Sequence, residues 1–309
     1  MNTKATVIHH SADFDGLFSR EVSKKFLGTE GVQYVGWDYL DPKIPMPSEG
    51  QVYIIDLSPD CLLNPPGIDE ATARIIWIDH HKSAIEKWGT YLPGYRIDGV
   101  AACRLAYQWF KLHAQWDPRE QNPPYELPGK QDFLERDIEE PVALMLAGEY
   151  DVWDHRGDGD LELQFGLRTE GDQGPMWSVL LDESAKPNVY VHQLIIQGKV
   201  AMAYQKHIDA STVKHKSFLL QFEGLTFLAI NTARVNSATF ESLDKKETGH
   251  DALLAFCWTG KLWSVSMYHA AHRKDIDLSR IAVKYKGGGH AGACGFSCAQ
   301  PPFPLFPRM

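Results

Sequence analysis

Short apolar runs rich in β-branched residues alternate with amphipathic stretches through the first half of the chain. ATVIHH (residues 5–10), VQYVGW (32–37), VYIIDLS (52–58) and RIIWIDHH (74–81) have the length and composition of buried strands. After the first of them, GLFSREVSKKFLG sets Leu17, Phe18, Val22 and Phe26 at helical spacing. GVAACRLAYQWFKL (99–112) and FLERDIEEPVALMLAGEY (133–150) also read as helices. WDPREQNPPYELPGK, between them, is a Pro-rich polar loop. From residue 186 a long helical pattern, VYVHQLIIQGKVAMAYQKHIDASTVKH, leads to the apolar runs FLLQF, LTFLAI, ALLAFCW and LWSVSMY. A helix, DLSRIAVKY, and a glycine-rich turn, KGGGHAGACGF, follow. The expected class is α/β: an N-terminal, mainly parallel sheet flanked by helices over 1–185, then a helical linker and a smaller α/β C-terminal lobe over 186–309. A cleft between the lobes is the expected site.

Composition narrows the partners. With 309 residues and 44% hydrophobic positions the chain has material for two cores. A formal net charge of −9 speaks against binding duplex nucleic acid, which needs a basic face, but not against a small anion held through a metal. The five cysteines are scattered and read as buried free thiols in a reducing compartment. Charged residues come too early for a signal peptide, and no apolar stretch approaches the roughly 18 residues of a membrane span. A cytoplasmic location without membrane contact is expected, and a homodimer is admissible.

The polar residues that end the strands carry the chemistry. His9, Asp13 and Asp15 follow the first run, Asp56 ends another, and Asp79, His80 and His81 end a third. Asp151 lies in GEYDVWDH, after a helical stretch. In an open parallel sheet, ligands bind beyond the carboxyl ends of the strands. Taken singly, these motifs are weak, and Asp15 has the position of a cap for a helix starting at Gly16. Together they favour a metal site. Carboxylates with imidazoles suit manganese, magnesium or iron, and there are more of them than the four to six ligands one ion takes. Two ions about 3.5–4 Å apart, bridged by carboxylates, would use them and neutralise the crowded acids. In GGGHAGACGF, the glycines Gly288 and Gly289 allow backbone amides to form an anion-binding nest, with His290 beside it.

HHSADFDG, DLSPD, IDHH, GEYDVWD and GGGHAGACGF, in this order, resemble the motifs of the DHH phosphoesterase superfamily and its associated C-terminal domain. The resemblance covers nearly the whole chain. It implies a two-manganese site, with magnesium as the alternative ion. One ion would take His9, Asp13, Asp56 and Asp151; the other would take Asp15 and His80 and share Asp56 and Asp151. His10 stands beside the family position and is not implied as a ligand. Asp79 would orient an imidazole, His81 would face the scissile phosphate, and Gly288, Gly289 and His290 would hold a substrate phosphate.

The activity implied is hydrolysis of a short phosphorylated nucleotide, pAp or a short oligonucleotide. The alternatives are a cyclic- or linear-dinucleotide phosphodiesterase, a RecJ-like exonuclease, and a non-catalytic nucleotide sensor. One departure concerns an arginine many relatives carry near the last helix. Tyr268 stands there, with Arg273 and Lys274 nearby.

Overall fold

The computed structural model describes residues 4–39, 41–63, 74–89, 92–115, 126–171, 174–233, 237–243 and 249–304. The chain divides into two compact units, Met1–Ala201 and Met202–Met309. Most of the loop expected at 116–130 lies outside the described residues.

The first unit is built on β1 (Ala5–His10), β2 (Val32–Trp37), β3 (Gln51–Ile55), β4 (Ile75–Asp79) and β5 (Gly94–Arg96), all parallel in the order β2-β1-β3-β4-β5. Alternate residues of one strand feed different cores. Val7, Ile55 and Ile78 pack with Phe18, Tyr107 and Leu144, whereas Ile8, Ile54 and Trp77 pack with Leu57 and Ala84. Both faces are therefore covered, which is why these strands read as unbroken apolar runs. β5, three residues long, was too short to leave a pattern.

The helices described in this unit and the passage to the next are α1 (Phe14–Leu27), α2 (Lys82–Trp88), α3 (Ala102–Gln115), α4 (Lys130–Glu135), α5 (Val142–Asp151), α6 (Asp160–Leu167), α7 (Trp177–Leu180) and α8 (Val189–Lys216). The stretch 133–150 is not one helix. Arg136 adopts a left-handed conformation (φ 59, ψ 29) that ends α4, and α5 starts after Pro141. Proline disfavours helical geometry in the residue before it, so the break is local chemistry. Its consequence is that α5 is a separate element ending on Asp151.

The second unit holds a six-stranded sheet in the order β10-β11-β9-β8-β7-β6. Its strands are β6 (Phe218–Phe222), β7 (Leu225–Asn231), β8 (Ala252–Trp258), β9 (Trp263–His269), β10 (Gly288–His290) and β11 (Ala293–Cys298). All neighbours pair antiparallel except β7 and β8. Helix α9 (Ser279–Lys284) contributes Ala282 to a core with Phe222, Phe227, Met267 and Phe296. The glycine-rich stretch read as a turn is instead the edge strand β10, in a hairpin with β11. Gly289 has φ +123, and a Cβ there would stand 2.6 Å from the Cys294 Cα. Glycine is thus required for the two backbones to approach.

Candidate metal centre

Four elements of the first unit end at the same place. β1 delivers His10 and, through the turn into α1, Asp13 and Asp15; β3 leads to Asp56; β4 ends in Asp79 and runs on to His80 and His81; α5 ends on Asp151. Asp13, not Asp15, is the cap of α1, accepting the Gly16 N–H at 3.0 Å. Asp15 sits in the first turn and accepts the amides of Ala102 (2.9 Å) and Cys103 (2.7 Å) at the start of α3. Two helix N-termini therefore fix these carboxylates, each offering backbone donors that lack helical partners. Asp56 holds φ 60, unusual for a residue with a side chain, and its amide donates to Ile78 O at 3.0 Å. Such a conformation costs on the order of 1 kcal/mol and is kept where surrounding structure demands it.

The side chains form three overlapping groups with ligand atoms close enough to share an ion: Asp56, Asp79, His80 and His81; His10, Asp13 and Asp56; and Asp15, His80 and Asp151. His80 Nε2 lies 3.5 Å from Asp15 Oδ2, 3.4 Å from Asp56 Oδ1 and 3.3 Å from Asp151 Oδ2. His10 Nδ1 lies 2.8 Å from Asp13 Oδ2 and 3.6 Å from Asp56 Oδ2. Asp79 faces His81: its Oδ1 meets the ring Nδ1 at 2.7 Å and accepts the His80 backbone amide at 2.8 Å.

The electrostatics show a cluster short of positive charge. Burial, then the charges of Asp56 and Asp151, push the Asp15 carboxyl far above its ordinary range. Burial and neighbouring acids raise Asp151 to about 6, although His80 opposes them. The Asp13 carboxylate, then Asp56, raise His10 to about 11. Burial works against a charged His80, yet Asp56, Asp15 and Asp151 raise it to about 10. Burial likewise opposes ionisation of Asp56, but His10 and His80 hold it down to about 2. Protons on imidazoles thus provide the positive charge that the acids require. Even so, Asp56 Oδ2 and Asp79 Oδ2 are buried without a hydrogen-bond partner among the described residues. Hard oxygen donors, two imidazoles and orphaned carboxylate oxygens fit divalent cations well.

Of the residues expected from sequence, Asp13, Asp15, Asp56, Asp79, His80, His81 and Asp151 come together here. His9 does not join any of the three groups, and His10 takes its place. Neighbours on a strand point to opposite faces. The His9 ring is 3% exposed, its Nδ1 lies 2.7 Å from His10 O, and burial lowers its pKa. The resemblance implied His9; it is His10 that lies near Asp13 and Asp56. Asp38 was missed, though it follows β2 by the same strand-end rule and lies 3.5 Å from His10 Nε2.

Gly288, Gly289 and His290 are exposed on β10 in the second unit, with nothing within 4 Å of a Cβ built on Gly288. Tyr268 is half-buried on β9, paired in register with Ala293. Arg273 is occupied by Asp251 (2.6 Å) and Asp275 (3.0 Å). Among the described residues no helix is long and apolar enough to cross a membrane.

No family model and no curated protein matches the sequence. Solved structures do align with it. A pGpG-specific phosphodiesterase from Vibrio cholerae is 14% identical, with 96% of this chain and 93% of that one covered and a TM-score of 0.42. The DHH domain of a member of the s1p family of ribosomal proteins is 14% identical over 94% of this chain and 82% of that one, TM-score 0.45. RecJ in complex with Mn2+ from Thermus thermophilus is 14% identical over 96% of this chain and 50% of that one, TM-score 0.46. Likenesses this distant give no residue a role. The strand-end motifs stand in order along a five-stranded parallel sheet, the arrangement that the resemblance in motif order implies.

Proposed function

We propose that the chain is a metal-dependent phosphoesterase of the DHH type, acting on short phosphorylated nucleotides such as pAp or short oligonucleotides. The observation that carries this reading is the sharing of buried Asp56 between two of the three ligand groups, and of His80 between two. Shared ligands suit a pair of ions better than one. His10, Asp13 and Asp56 would hold one divalent cation, manganese or magnesium; Asp56, Asp15, His80 and Asp151 would hold the other. When bound, such cations supply charge that polarises a phosphoryl oxygen and acidifies water.

The chain's own residues do the rest. Asp79, 0% exposed, accepts from His81 Nδ1 and fixes the ring, so that Nε2 is the atom free to meet substrate. The Asp79 carboxylate also raises the His81 pKa, favouring an imidazolium that stabilises charge on a non-bridging phosphoryl oxygen. Asp15, tied to the start of α3, and Asp56, held at positive φ, keep the donors in place. Gly288, Gly289 and His290 remain the proposed contacts for a second substrate phosphate.

The test is hydrolysis of pAp and bis-p-nitrophenyl phosphate by metal-stripped protein with and without added Mn2+. Turnover that appears only with Mn2+ is expected. Mn2+ binding without turnover on any phosphoester would contradict the enzyme and leave a nucleotide sensor.

A further inference from the structure

A cavity of about 280 Å³ is lined by the proposed ligands Asp13, Asp15 and Asp151 and, beyond them, by Tyr150, Gln164 and Arg168. One wall is the start of α1, with its cap Asp13 and with Asp15; the other is the end of α6, with Gln164 in its last turn and Arg168 just after it. Neither Gln164 nor Arg168 was expected from the sequence, and the metal centre does not use them. Arg168 is exposed, and its guanidinium lies over three rings, 5.8 Å from the centroid of Phe14, 5.9 Å from Tyr150 and 5.5 Å from Phe165. Contact with ring faces positions the group while leaving its in-plane N–H edges open. Among the described residues it makes no ion pair. Gln164 is only 2% exposed, lines the same cavity, and its amide makes no side-chain hydrogen bond among the described residues. Its amide opens onto the cavity, where it can donate to an oxygen that enters.

We infer that this cavity is a phosphate-binding subsite of the first unit, with Arg168 as the anion contact and Gln164 as a neutral donor beside it. The inference rests on the functional reading above. Arginine offers a planar fork matched to phosphate oxygens, and three adjacent aspartates would repel any anion unless cations offset them. Phosphate and metal binding at this place are therefore linked. Mn2+ strengthens phosphate binding, and phosphate strengthens Mn2+ binding by the same factor.

Orthophosphate titrated calorimetrically into the full chain, metal-stripped and Mn2+-loaded, tests this. The unaltered protein should bind phosphate only with Mn2+ present. Arg168→Gln should weaken phosphate binding about tenfold to a hundredfold, with Mn2+ affinity in phosphate-free buffer and the metal-free melting temperature unchanged. Arg168→Lys, which keeps a cation over the rings but loses the fork, should fall between. With pAp as substrate, the loss should appear mainly in KM. Phosphate binding unchanged in both variants, with Mn2+ binding and hydrolysis intact, would overturn the subsite alone. Failure of the unaltered protein to bind Mn2+ would instead overturn the functional proposal and this inference with it.

Discussion

The choice between two adjacent histidines shows what single residues decide. His10 touches Asp13 and Asp56, whereas His9 is turned into the sheet and spends Nδ1 on a backbone carbonyl. His10→Ala should therefore lower the Mn2+ content of the protein, while His9→Ala should keep the metal and lose stability, by about 1–3 kcal/mol for a buried polar contact. Elemental analysis and thermal melts of both variants check this, and the reverse pattern would restore His9 as ligand. His81 separates chemistry from metal binding. His81→Ala should reduce kcat by about a hundredfold or more with Mn2+ content unchanged, because its Nδ1 is taken by Asp79 and stands 4.0 Å from Asp56. The acids and imidazoles of the centre were legible because hard donors at successive strand ends have few structural uses. His10 over His9 was not, since alternation puts the two on opposite faces of β1 without saying which face meets the acids.

At the scale of elements, the longer strands and α1, α3, α8 and α9 were legible from period and composition, α4 and α5 were read as one helix, and the short α2, α6 and α7 left no reading. What escaped were features set by contacts distant in sequence. Asp15 as a receptor for the α3 amides depends on residues 102 and 103, far along the chain. The glycine stretch became a strand because β11 accepts it at close range. The meeting of these elements also fixes how pH acts. Asp15 and Asp151 are raised above their unfolded values, the latter to about 6, so their stabilising protonated forms are lost as pH climbs through that region. His10 and His80, raised to about 11 and 10, have the same sign: they favour folding below their unfolded value near 6.5 and lose that advantage as pH rises toward their folded values. Metal-free protein should thus become less stable from about pH 5 to about pH 7.5, and the rise in melting temperature on adding Mn2+ should grow over the same window. A Mn2+ effect that is constant, or larger at the acid end, would contradict a centre in which cations replace protons.

At the scale of the molecule, a net charge of −9 offers little to a long polyanion, and the cationic groups that matter are local. Oligonucleotides of roughly two to five residues should be hydrolysed with higher kcat/KM than long single strands; equal rates on strands of several tens would point to a RecJ-like exonuclease. The substrate was the least legible part of the sequence, because Arg168 and Gln164 sit on an ordinary helix and gain meaning only from the cavity they line. In the proposed centre, buried Asp56 would be the carboxylate that two cation sites share. Mn2+ bound per chain, measured by elemental analysis after equilibrium dialysis and paired with pAp hydrolysis, tests it most directly. The unaltered protein should hold about two ions and turn over, and Asp56→Asn should hold fewer with hydrolysis abolished while remaining folded. An Asp56→Asn protein that keeps its full metal content and its activity would contradict the account.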